Sequence, residues 1–150
     1  MADTYTGLYI HYVFSTKNRE AIIAEHVQER IWAFMGGIAR ENRMKALCIG
    51  GVADHVHLLI SMPTTISVAK TMQLIKGGTT AWVHDTYPGM RHFAWQEGYG
   101  AFSVGERDLD TEIAYINNQR EHHRTRSFQE EYRELLKKNG VEYDERYLWD

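Results

Sequence analysis

At 150 residues, with 43% hydrophobic and 25% charged side chains, the chain has the length and composition of one globular domain spanning 1–150, and disorder is not indicated. No apolar run approaches the roughly 20 residues of a membrane span, and no basic-then-apolar leader opens the chain, so a cytoplasmic protein without membrane contact is expected. A formal net charge of −3 argues against broad, unselective nucleic-acid binding, and the lone Cys48, set in Ala46-Leu47-Cys48-Ile49, reads as a buried thiol rather than a nucleophile.

Leu8 to Ser15 reads as a first strand, with His11 on the face opposite Ile10, Tyr12 and Phe14. Val27, Ile31, Phe34 and Ile38 recur at helical spacing and predict a helix from about Glu25 to Asn42. Met44 to Val52 is a second strand. After the tight link Ala53-Asp54 the strand His55–Ser61 follows, so these two form a hairpin. Pro63-Thr64-Thr65 opens a second helix that carries Val68, Met72 and Ile75; it ends near Gly77-Gly78 or runs on to His84. Phe93–Gln96 and Tyr99–Val104 read as short aromatic strands. Asp108 or Asp110 caps a third helix that reaches about His123, and a last helix spans about Phe128 to Asn139. The segment Val141–Asp150 has no assignment. The order is β-α-β-β-α-β with additions, which predicts an α+β, ferredoxin-like split β-α-β sandwich: an antiparallel sheet with both core helices on one face and the other face open.

The stretch Asp54-His55-Val56-His57-Leu58-Leu59-Ile60-Ser61 carries the chemistry. Strand alternation puts Val56, Leu58 and Ile60 on the core face, so His55 and His57 share the other, roughly 6–7 Å apart along the strand. That spacing suits one divalent ion, although a lone His-x-His is equally what two hydrogen-bonded polar residues on a sheet look like. The third helix supplies possible company: Tyr115 and Gln119 lie one turn apart, with Glu112 and His122 extending the stripe beside the Leu109/Ile113/Ile116 face. Gln119 can offer an amide oxygen to a metal, completing a His/His/Gln set with open positions for substrate oxygens. Tyr115 then has a phenol oxygen able to attack phosphorus.

These residues resemble those of a known family, the single-tyrosine HUH transposases of the smallest insertion sequences. The resemblance rests on His11-Tyr12-Val13-Phe14-Ser15-Thr16-Lys17, Asp54-His55-Val56-His57, Leu74-Ile75-Lys76-Gly77, the run from Phe93 to Val104 and Tyr115-Ile116-Asn117-Asn118-Gln119-Arg120-Glu121-His122-His123. It implies His55, His57 and Gln119 as ligands of a Mg²⁺ or Mn²⁺ ion and Tyr115 as the nucleophile. It further implies a homodimer that cuts and rejoins single-stranded DNA with hairpins at element ends through a 5′-phosphotyrosine link. Lys76, Arg120 and Arg124 are expected contacts to the DNA backbone. No phosphate-cradling Gly-rich loop is present, which agrees with rejoining that needs no nucleoside triphosphate. Two rival readings stay open. A non-catalytic module could hold single-stranded hairpin nucleic acid by stacking on Tyr9, Phe93 or Tyr99, and a metal-dependent hydrolase could use water in place of Tyr115.

Overall fold

The computed structural model describes residues 3–150. Its strands are β1 (Tyr9–Ser15), β2 (Lys45–Val52), β3 (His55–Ser61) and β4 (Gly100–Val104), and its helices are α1 (Glu25–Glu41), α2 (Val68–Thr86), α3 (Leu109–Asn117), α4 (Gln119–His122) and α5 (Phe128–Lys138). The strands form one antiparallel sheet in the order β2-β3-β1-β4. That is the split β-α-β arrangement expected from the element order, in which each crossover helix returns its chain two strands away. Ser67 caps α2 by accepting from the Lys70 N–H at 3.0 Å, so that helix begins at Val68 and runs unbroken past Gly77-Gly78.

The alternation of β1 and β3 sorts the sheet's two faces. Tyr12, Phe14, Val56, Leu58 and Ile60 are buried in the larger core with Ile31 and Met35 of α1 and Met72 and Ile75 of α2. Phe93 joins this core, fully buried, and so is withdrawn from any stacking surface. The opposite face carries His11, Val13, Ser15, His55, His57 and Leu59, and it is not open as the sequence suggested. Ile116 of α3 packs with Cys48 and Leu59, and Phe128, Tyr132, Leu135 and Leu136 of α5 pack with Val13 and Phe102. The final segment adds to this cover, with Trp149 against Phe128 and Tyr132 at ring-centroid distances of 6.3 and 5.8 Å.

Two glycines let those covering helices come down. Gly50 pairs with His57 across β2 and β3, His57 with Val13 across β3 and β1, and Val13 with Gly100 across β1 and β4. A Cβ on Gly50 would lie 2.6 Å from the Ile116 carbonyl oxygen of α3, and one on Gly100 would lie 2.9 Å from the Tyr132 ring of α5. His57 thus stands in a row whose two ends are bare backbone, each with a helix seated on it.

Two local expectations differ from what is observed. Phe93–Gln96 makes only an isolated bridge between Thr16 and Trp95. Gln96 closes off Ser15 on both sides: its N–H donates to the Ser15 carbonyl at 2.9 Å, and its side-chain oxygen accepts from the Ser15 N–H at 2.8 Å. The third helix, expected to run to about His123, breaks at Asn118, which leaves helical geometry at φ −106°, ψ 28°. The chain resumes as the single turn α4, and this re-aims Gln119 and His123 toward the sheet.

Candidate active site between the histidine strand and the covering helices

Strand β3 fixes two imidazoles, both fully buried, and neighbouring groups set their orientation. His55 Nδ1 donates to Asp54 Oδ1 at 2.7 Å. His57 Nδ1 meets His11 Nε2 at 2.7 Å, and His11 Nδ1 in turn donates to Glu112 Oε1 at 2.7 Å. Each ring of the His-x-His pair therefore keeps its Nε2 for the interior of the site. Tethering of the outer nitrogen is how metal-binding histidines are held in one tautomer and one orientation.

What faces those Nε2 atoms is in part what the sequence suggested. Gln119 directs its side-chain oxygen at His55 Nε2, 3.0 Å away, while its amide nitrogen donates to the Tyr115 carbonyl at 3.4 Å. Glu131, from α5, was not anticipated. It is fully buried, and its Oε1 lies 3.3 Å from His55 Nε2 and 3.0 Å from His57 Nε2. His55, His57 and Glu131 offer ligand atoms that all lie within 4.8 Å of one another. A third imidazole, His123, puts its Nε2 at 3.1 Å from the same Glu131 oxygen.

The sequence carried a sign of Glu131. Phe128, Tyr132 and Leu135 are buried on one face of α5, and Glu131 falls within that stripe at i+3 from Phe128. A carboxylate at such a position has to be hydrogen-bonded or ligated. His123 had no comparable sign, because the turn that brings it inward follows from the break at Asn118.

Tyr115 completes the cluster. Its hydroxyl donates to Glu131 Oε2, so one carboxylate touches the imidazoles with one oxygen and the tyrosine with the other. The Tyr115 ring centroid is 5.9 Å from that of His57, within the same chain, and His122 lies against its other side at 4.6 Å. The electrostatics follow from burial and neighbours. Burial pulls the His55 ring down, but the carboxylates of Asp54 and Glu131 outweigh it and hold the ring up at about 9. Burial lowers His57 to about 3, and burial followed by the Glu131 charge raises the Tyr115 hydroxyl well above an ordinary phenol. Burial pushes Glu131 up, yet the hydrogen bonds from His123, His55 and His57 prevail and keep it ionised far below the usual carboxylate range. Between α3 and α5 a cleft of about 230 Å³ reaches Tyr115 and Glu131, with Arg126 and Lys138 among its walls.

The three expected backbone-contact cations are engaged with other partners. Lys76 Nζ donates to the carbonyls of Gln96, Glu97 and Gly98 at 2.6, 3.1 and 2.9 Å. Exposed Arg120 and Arg124 pair with Glu25 and Glu121 at 2.9 and 3.0 Å, which are surface pairs worth little each.

Buried histidines, an ionised carboxylate and a tyrosine hydroxyl thus meet on one face of a ferredoxin-like sheet. Residues 4–119 match the family described as transposase IS200 like, and the chain belongs to that family. It is 24% identical over 127 residues to the transposase for insertion sequence element IS200 of Salmonella typhimurium, covering 81% of this chain and 82% of that one. It is 22% identical over 114 residues to the ISDra2 transposase TnpA of Deinococcus radiodurans, covering 73% and 81%. Among solved structures, a transposase from Deinococcus radiodurans superposes with a TM-score of 0.64 at 21% identity, over 79% of this chain and 96% of that one. A REP-associated tyrosine transposase bound to a REP hairpin superposes at 0.56 and 14% identity, over 77% and 70%. These likenesses establish the fold. His123, Glu131 and all of α5 lie beyond the residues that the family match covers. No helix among the described residues is long and apolar enough to cross a membrane.

Proposed function

We propose that the chain, acting as one catalytic domain over 1–150, cleaves and rejoins single-stranded DNA with hairpins at insertion-sequence ends, with Tyr115 as the nucleophile. The observation that carries this reading is the meeting of the Tyr115 hydroxyl with the His55/His57/Glu131 cluster through a single carboxylate. In the step proposed, Tyr115 Oη forms a bond to phosphorus as the bond to the 3′ oxygen breaks. The products are a 5′-phosphotyrosine and a free 3′-hydroxyl. Glu131 Oε2, which already accepts the phenol's hydrogen, relays that proton to the departing 3′ oxygen. Because burial and the Glu131 charge keep that phenol protonated at neutral pH, the step depends on this acceptor. The covalent link conserves the phosphodiester's energy, so the reverse attack by a 3′-hydroxyl reseals the strand.

The family resemblance implies a divalent ion, Mg²⁺ or Mn²⁺, with His55, His57 and Gln119 as ligands and Glu131 within reach. When bound, the ion neutralises charge that develops on the phosphoryl oxygens. The protein's own part is to orient both rings through Asp54 and His11, hold Tyr115 in line and keep bulk water from the sheet face. Arg120, Arg124 and Lys76 are proposed contacts to the DNA backbone, Lys76 by exchanging one of its loop carbonyls for a phosphate. Tyr115 lies beside the histidines of its own chain, which favours a site assembled within one subunit of a homodimer. Light scattering tests the dimer, and a monomer at micromolar concentration would remove it.

The test is incubation with single-stranded DNA from the flanks of the coding region together with Mn²⁺. A covalent protein–DNA adduct is expected, and Tyr115→Phe should abolish it in a folded protein. A gel shift without an adduct would favour the non-catalytic hairpin-binding module. Free ends that persist in Tyr115→Phe would instead favour a hydrolase.

A further inference from the structure

The outer nitrogens of three imidazoles are tied away from the centre of the cluster. His55 Nδ1 faces a carboxylate and His123 Nδ1 faces the Arg126 carbonyl at 2.7 Å; neither partner can donate, so both nitrogens carry the proton. His11 Nδ1 donates to the Glu112 carboxylate and its Nε2 engages His57 Nδ1, so the outer nitrogen of His57 is tied as well. The Nε2 atoms of His55, His57 and His123 are thereby left to face inward. All three point at Glu131 Oε1, from 3.3, 3.0 and 3.1 Å. The Gln119 oxygen joins them at 3.0 Å from His55 Nε2 and 3.2 Å from His123 Nε2.

Five atoms able to ligate a metal, three ring nitrogens and two side-chain oxygens, therefore converge on one spot. A single cation that takes the place of the ring protons satisfies all five at once, since imidazole and carboxylate ligate metals in their deprotonated forms. We infer that His123 and Glu131, both contributed by the segment beyond the family match, are metal ligands that turn the His/His/Gln set into a nitrogen-rich centre of three imidazoles and a carboxylate. The inference rests on the metal-assisted reading above and deepens it. Imidazole donors suit Mn²⁺, Co²⁺ and Zn²⁺, whereas Mg²⁺ prefers oxygens and retains its waters. The centre should accordingly discriminate against Mg²⁺. It also makes the last fifth of the chain, residues 120–150, part of the active site, since α5 brings the carboxylate and the turn after Asn118 brings the third ring.

The test is Mn²⁺ titration of the full chain, followed by the loss of the free-ion electron paramagnetic resonance signal, for the wild type, Glu131→Gln, His123→Ala and His57→Ala. One Mn²⁺ per chain is expected in the wild type, with millimolar Mg²⁺ failing to displace it. Glu131→Gln and His123→Ala should each weaken binding by about tenfold or more. X-ray absorption at the manganese edge of the wild type should count three imidazoles, a readout that holds even if a variant fails to fold. Two imidazoles there, or unchanged Mn²⁺ affinity in folded Glu131→Gln and His123→Ala while His57→Ala loses it, would overturn the inference. So would free exchange of Mn²⁺ for Mg²⁺, or no binding in the wild type. Adduct formation on single-stranded DNA is scored separately: an adduct alongside unchanged affinities removes these two ligands and leaves the proposed reaction standing. Three imidazoles without an adduct does the reverse.

Discussion

Gly50→Ala tests how the tyrosine helix is seated. The new Cβ would lie 2.6 Å from the Ile116 carbonyl oxygen and 3.2 Å from Ile116 Cγ2, next to Tyr115 in the chain. A carbon and a carbonyl oxygen settle at about 3.3–3.6 Å, so the last turn of α3 must retreat by roughly 0.7–1 Å. Overpacking of that kind costs about 1–3 kcal/mol, and a displacement of about 1 Å at a reacting group can cost on the order of 10²-fold in rate. Gly77→Ala is the matched control. Gly77 is an exposed interior position of α2 where an added methyl group would meet nothing within 4 Å, so the change should stabilise the protein by about 0.5–1 kcal/mol. Urea unfolding of the two variants, with the rate of adduct formation measured alongside, separates them. If Gly50→Ala unfolds like Gly77→Ala and keeps wild-type adduct rates, α3 does not rest on β2 as described.

Phe128→Ala removes a fully buried ring that stacks on both His55 and Tyr132, and it should cost about 3–5 kcal/mol by urea denaturation; a loss below about 1 kcal/mol would mean that α5 is not docked on the sheet. His11→Ala cuts the link from Glu112 to His57, and isothermal titration should show Mn²⁺ affinity falling by about 10–100-fold in a protein that still folds. Burial raises the Cys48 thiol to about 11, and its Sγ donates to Asn117 Oδ1 at 3.0 Å, so thiol reagents at about pH 8 should label it slowly in the folded protein and quickly in urea. The folded chain also keeps the Cys48 proton that the unfolded chain gives up above about pH 9. Cys48→Ala should therefore remove part of any fall in stability between about pH 9 and 11.

How much was legible beforehand divides along physical lines. Period-two alternation in Tyr9–Ser15 and His55–Ser61 reported which side chains face α1 and α2, and it put His11, His55 and His57 together on the other face. Helical spacing reported Leu109, Ile113 and Ile116 as the docking face of α3, with Tyr115 beside it. The cover over the histidine face was harder to read, because it depends on where α5 lands, and no local pattern encodes that. The bare backbone at Gly50 and Gly100 was visible as glycine but not as a seat for helices. Glu131 was readable as a carboxylate within an apolar stripe. Its partners were not, since His55, His57 and Tyr115 meet it only through tertiary packing. Lys76 reads as a free cation in sequence, whereas three carbonyls hold it in the fold.

The most direct measurement of the central claim is mass spectrometry of the trypsin-digested protein–DNA adduct. The account predicts a phosphonucleotide on the peptide 108–120, whose one tyrosine is Tyr115. Nucleotide mass on a peptide carrying any other tyrosine, or cleavage that leaves no covalent mass on the protein, would contradict it.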